Sequence, residues 1–150
     1  MREGVIRMIA IGCDHGGFEL KNHIIGHLEE AGIEYLDFGC FDEVSCDYPD
    51  IAALVCEAVV KGECDRGILV CGTGIGMSMA ANKIKGIRAA HLTDVYSAKM
   101  TKLHNNANVI CLGGRVTGRE LAFMIVDTWL QTEFAGGRHQ TRIDKITALE

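Results

Sequence analysis

The sequence predicts a three-layer α/β/α fold, with a five-stranded parallel Rossmann-like sheet and a C-terminal helical tail. Short apolar runs alternate with amphipathic helical segments along the whole chain. Those runs are nearly continuous hydrophobes, as strands buried on both faces of a parallel sheet are. A chain of 150 residues that is 48% hydrophobic with one proline has enough apolar surface for one substantial core. No internal repeat, low-complexity tract or linker divides it, so residues 1–150 read as a single domain.

Each element follows from its own pattern. Residues 1–7 read as a short leader, and 8–12 as the first strand. Residues 18–31 show helical spacing through Phe18, Leu20, Ile24, Ile25 and Leu28, with Gly32 as the stop. Residues 33–38 alternate like a strand. Pro49 in Asp47-Tyr48-Pro49 suits the first turn of a helix running to about Lys61. The third strand spans 68–71, and a short helix holds 77–84. A fourth strand covers 88–92 and a helix 94–104. The fifth strand covers 109–112, before a long amphipathic helix over 118–134. Residues 135–150 form a tail that ends in a short helix and has too few contacts to be ordered by itself.

A net charge of −5 argues against a nucleic-acid surface as the main function. Seven cysteines are scattered and odd in number, with no Cys-x-x-Cys pair. No stretch ahead of the first strand reads as a signal peptide, and no apolar run approaches the ~20 residues that span a bilayer. The expectation is a cytoplasmic protein with its thiols buried as small hydrophobes.

In such folds the strand C-terminal ends share one edge, where ligands bind. Three groups converge there. Asp14 and His15 follow the first strand, Cys71 to Gly76 the third, and Gly113-Gly114-Arg115 the fifth. Gly72, Gly74 and Gly76 let the chain turn sharply into a helix and aim several N–H groups at one point, which suits an oxyanion. Those donors favour the thiolate form of the adjacent Cys71. A base beside an oxyanion pocket is what enolising a sugar requires.

Other readings compete. Asp14 could simply cap the next helix, and His104, which closes a helix, could be a cap rather than a catalyst. The glycine spacing is not Gly-x-Gly-x-x-Gly and follows the third strand, which disfavours a dinucleotide site despite Asp94 further on. No Walker lysine and no metal-ligand spacing is present. Cys56, Cys64 and Cys111 fit inert core thiols. Arg138 and Arg142, four apart, share a face on a helical turn and could clamp a phosphate or stand solvated.

Taken together the motifs resemble those of the type B ribose-5-phosphate isomerases, which belong with the galactose-6-phosphate and allose-6-phosphate isomerases. The resemblance runs from Met8 to Glu150. It rests on Gly-Cys-Asp-His-Gly-Gly-Phe at 12–18, Asp-Tyr-Pro at 47–49, Cys-Gly-Thr-Gly-Ile-Gly at 71–76 and Ala-Asn-Lys at 81–83. Gly-Ile-Arg-Ala at 86–89, His-Asn at 104–105, Gly-Gly-Arg at 113–115 and Gly-Gly-Arg-His-Gln-x-Arg at 136–142 complete it. The resemblance implies that Cys71 is the base moving a proton between C1 and C2. Some members use a glutamate a few positions on, where this chain has Gly76 or Met77. It implies His104 as the acid that opens the furanose ring, with Asp14 assisting. Gly72, Thr73, Gly74, Ile75 and Gly76 would hold the enediolate through backbone N–H groups and the Thr73 hydroxyl. His15, Arg115, Arg138 and Arg142 would bind the phosphate, and Asn105 a sugar oxygen. It implies no metal or organic cofactor, and a homodimer or homotetramer with its site shared between subunits and the 135–150 tail packing on a partner subunit. A six-carbon sugar phosphate remains the rival substrate, with pocket length depending on Ser45, Cys46 and Asp47. A non-catalytic phosphosugar-binding subunit is the alternative of another class.

Overall fold

Five apolar runs become strands because burial on both faces removes their side chains from water while the ladder pairs their backbones. The computed structural model describes residues 6–150. β1 (Ile9–Cys13), β2 (Tyr35–Asp37), β3 (Arg66–Cys71), β4 (Ala89–His91) and β5 (Val109–Gly113) form one sheet in the order β2-β1-β3-β5-β4. Every pairing is parallel.

The two-residue period of the strands divides the core. Ile9, Ile11, Ile68, Val70, Ile110 and Leu112 face α1 (Phe18–Glu30) and α5 (Arg119–Gln131). Ala10, Leu69, Val109 and Cys111 face α2 (Tyr48–Val60) and α3 (Ile75–Ala81). The single tryptophan, Trp129 of α5, is fully buried and donates its indole N–H to the Ala107 carbonyl at 2.9 Å. Truncating such a side chain costs about 3–5 kcal/mol.

The strand order places β2 on one side of β1 and β3 on the other. A crevice therefore opens between the carboxyl ends of β1 and β3, the point where open α/β sheets bind ligands.

Some expectations need correction. The helix expected over 94–104 is α4 (Val95–Met100) continued by a π turn, Thr101–Asn105, which ends where Asn106 adopts a left-handed backbone (φ 45°). Asparagine tolerates that conformation better than most residues. α5 stops at Gln131 rather than Phe134, since Thr132 is extended and its hydroxyl donates to the Thr128 carbonyl at 2.6 Å. The tail does not lack contacts within its own chain. It forms α6 (Arg138–Thr147), which buries Ile143, and the Ala135 amide just before it donates to the Leu103 carbonyl at 3.1 Å. Not all cysteines are thiols: Cys40 and Cys46 form a disulfide across the loop before α2, and five are free and buried. Of the expected leader, residues 1–5 lie outside the described residues. Ile6 packs on the core, and the Arg7 amide donates to Asp65 at 2.7 Å. Among the described residues no helix is long and apolar enough to cross a membrane.

Candidate active site

The turn after β3 builds the centre of the site. Cys71 ends the strand, 5% exposed, and the Gly74 amide donates to its Sγ at 3.1 Å. Gly74 has φ +85°, and a Cβ there would stand 2.8 Å from the His91 ring and 2.9 Å from the Leu112 backbone. Only glycine fits both constraints. Gly113 is as constrained, since a Cβ would meet the Thr73 carbonyl oxygen at 2.6 Å. The turn is thus clasped between β5 and β4.

Its amides divide by role. Gly74 serves the thiol, and the Ile75 amide donates to Thr73 Oγ1 at 3.2 Å. The amides of Gly72 and Thr73 have no acceptor among the described residues and are free to donate to a ligand. Gly76 carries the Tyr48 ring: a Cβ there would come within 2.7 Å of it.

Asp14 stands across the crevice, its amide donating to the Val70 carbonyl at 3.1 Å. Its Oδ1 accepts from the Gly16 amide at 2.9 Å, so the cap reading holds. Oδ2 is unpartnered yet not sealed from solvent, which leaves it free for a ligand. His15 is exposed beside it. The Arg115 amide donates to the Gly72 carbonyl at 3.0 Å, and its guanidinium lies 3.5 Å from where a Gly72 Cβ would be.

The other free thiols, Cys13, Cys56, Cys64 and Cys111, lie in the core. Burial pushes Cys56 up to about 12 and Cys13 to about 11, and Cys64 is also raised. Cys111 is raised well above the ordinary thiol value by burial first, then by Cys56 and Cys71. At neutral pH these are inert core groups.

His104, Asn105, Arg138 and Arg142 do not join this group. They gather at the amino edge of the sheet, where the π turn meets α6. The His104 ring stacks on His139, with centroids 4.2 Å apart. Arg138 and Arg142 lie on α6, one helical turn apart. Partial burial, then His104, Arg138 and Arg142, lower the His139 pKa. Asn105 Oδ1 accepts from the Thr101 hydroxyl at 3.1 Å, and its carbonyl accepts from Arg88 Nε at 2.9 Å. Arg88 immediately precedes β4. Gly113 pairs with Cys71 and Val109 with Gly67, so the length of β5, about 13 Å, separates the two groups.

A family model described as Ribose/Galactose Isomerase matches residues 9–146. The chain belongs to this family. It is 52% identical over 145 residues to the ribose-5-phosphate isomerase B of Escherichia coli K12, covering 97% of each chain. The solved structure of Clostridium thermocellum ribose-5-phosphate isomerase B superposes with a TM-score of 0.94 at 55% identity, covering 95% of this chain and 96% of that one. A relative from Pectobacterium atrosepticum named D-erythrulose-4-phosphate isomerase is 46% identical over 140 residues, 92% of this chain and 91% of its own.

Two residues packed against the glycine turn of this ribose/galactose isomerase-family chain escaped the sequence reading. Tyr48 belongs to the Asp-Tyr-Pro motif, which marked a helix start but assigned no role to the ring. His91 Nε2 lies 2.8 Å from the Thr73 carbonyl and braces the glycine turn from β4. Its position at a strand's carboxyl end was the available signal. Among the described residues no group of three His, Cys, Asp or Glu could hold a metal ion.

Proposed function

We propose that this protein is an aldose–ketose isomerase interconverting ribose 5-phosphate and ribulose 5-phosphate through an enediolate, with Cys71 as the base. The observation that carries the chemistry is the Cys71 thiol at the mouth of the glycine turn, with a backbone amide 3.1 Å from its sulfur. The thiolate takes the C2 proton of the open aldose. That bond pair forms the C1–C2 double bond, and the carbonyl pair moves onto O1, held by the Gly72 and Thr73 amides. The thiol returns the proton to C1 as the hydroxyl proton passes from O2 to O1, leaving a ketone at C2. Ring opening precedes this: His104 gives a proton to the ring oxygen, and Asp14 takes the anomeric hydroxyl proton. His15, Arg115, Arg138 and Arg142 bind the phosphate and Asn105 a sugar hydroxyl.

We further propose that two chains complete each site, in a homodimer or homotetramer. The separation of about 13 Å along β5 supports this, because Cys71 and His104 of one chain lie beyond hydrogen-bond reach of one reacting centre. The outer face of α6 would then reach the partner subunit. A cytoplasmic setting is supported by five of the seven cysteines being free and buried, against the single Cys40–Cys46 disulfide.

One observation favours a second reading with a different carbon count, the relative named for D-erythrulose 4-phosphate. Turnover measured side by side on ribose 5-phosphate, D-erythrulose 4-phosphate and allose 6-phosphate separates them. The expected result is a kcat/KM at least about tenfold higher on ribose 5-phosphate. A preference for another sugar overturns the pentose assignment, and turnover of none favours a binding subunit.

A further inference from the structure

A second cleft opens at the amino edge of the sheet, and none of the site residues assigned above lines it. It encloses 840 Å³ between Arg66, Lys102, Asn106 and residues 130–134. Arg66 begins β3, and Lys102 belongs to the π turn.

Lys102 is 8% exposed and donates from Nζ to Asn106 Oδ1. An ammonium group carries three donors, so two remain. Arg88 pins the acceptor residue, its Nη2 donating to the Asn106 carbonyl at 2.9 Å. Arg66 uses Nη1 on the Trp129 and Leu130 carbonyls, at 3.1 and 3.4 Å, and lies 5.4 Å from the Trp129 ring centroid. That role at the end of α5 accounts for one nitrogen. Nε and Nη2 have no protein acceptor among the described residues and are not sealed from solvent.

Neither cation has a carboxylate within ion-pair distance among the described residues. The one acid on the wall, Glu133, is exposed. Asp65 attracts Arg66 only from beyond ion-pair distance, its Oδ2 held by the Arg7 and Met8 amides, and enclosing positive charge without a contacting counter-ion is unfavourable. Lys102 registers it: burial, then Arg66 and Arg88, lower its pKa to about 8.

We propose that this cleft binds a phosphorylated small molecule, whose phosphoryl oxygens are taken by Lys102 and Arg66 at a site separate from Cys71. A phosphoryl dianion neutralises both cations. Its tetrahedral oxygens accept from a point ammonium and a planar guanidinium at once. The volume leaves room for an organic portion beyond the phosphate. Lys102 and His104 share one five-residue turn, so an occupant would touch the backbone segment that carries His104.

Trp129 is the only tryptophan and lies under Arg66, so its emission reports on this cleft. Titrating the full chain with inorganic pyrophosphate at constant ionic strength is expected to change that emission saturably. Lys102→Gln should weaken the apparent Kd at least about tenfold, and Arg142→Ala should leave it within about twofold. Loss of the response in Arg142→Ala would put the anion in the isomerase site and overturn the proposal. An unchanged Kd in folded Lys102→Gln, or a change that potassium chloride reproduces, overturns it as well. Should Lys102→Gln fail to fold, the Trp129 indole N–H resonance in the Arg142→Ala protein decides. A saturable shift with pyrophosphate supports the cleft, and no shift overturns it.

Discussion

The two edges of the sheet hold charge by opposite means. At the carboxyl edge the main chain does it: Gly74 and Gly113 let strand, turn and strand approach within contact, and amides meet the Cys71 sulfur and open space. At the amino edge long side chains do it: Lys102, Arg66, Arg88, Arg138 and Arg142 reach out from the π turn, the starts of β3 and β4, and α6. A backbone cradle is rigid and suits charge that develops during reaction. Flexible cations suit charge that a ligand already carries. Substitutions at Cys71 and its glycine turn should therefore act on kcat, and those of the amino-edge cations on binding and pH response.

The largest expected effect is at the sulfur. Cys71→Ala should lower kcat at least about 10³-fold while substrate binding stays nearly intact. Deuterium at C2 of the aldose should wash into water with the wild type and stay in place with the variant. Turnover near wild type would remove Cys71 as the base.

Next is the phosphate clamp. Arg142→Ala should raise KM by about 10–100-fold with a smaller change in kcat, the loss of one charge-assisted contact of ~1.5–3 kcal/mol. Mixing it with Cys71→Ala tests the shared site. In a mixed dimer one site keeps both residues and the other keeps neither, so random exchange should restore about a quarter of wild-type activity. No recovery after demonstrated exchange would put both residues in one chain's site.

A smaller effect separates ring opening from proton transfer. His104→Ala should slow the cyclic substrate about tenfold more than an open-chain analogue, because only the ring needs its oxygen protonated. Equal losses on both would make His104 a positioning residue.

The smallest is a pH effect at the amino edge. The native Lys102 pKa of about 8 lies below the ~10.4 of an unfolded lysine. Between those values the unfolded chain holds more protons, so stability rises with pH. Below about 8 both states are protonated and the full penalty remains. Thermal melts should show Lys102→Met gaining about 1–2 kcal/mol at pH 7 and losing the wild-type rise between pH 8 and 10. A rise that survives the substitution would trace to other groups.

What could be read from residues alone was local. Short, nearly continuous apolar runs announced most of the strands, Pro49 the start of α2, and three glycines after a strand the turn beside Cys71. Arg138 and Arg142 at helical spacing foretold a shared face, and α6 bears it out. These features depend on periods of two and 3.6 residues and on backbone freedom, which neighbours in sequence set. The rest required the strand order β2-β1-β3-β5-β4. That order brings Asp14 beside Cys71, clasps the glycine turn with Gly113 and His91, and sends His104 to the far end of β5. It also draws Arg66 and Lys102 to one cleft although 35 positions separate them in the chain. No local pattern encodes such meetings, because which strand lies beside which is decided by packing the whole apolar surface at once.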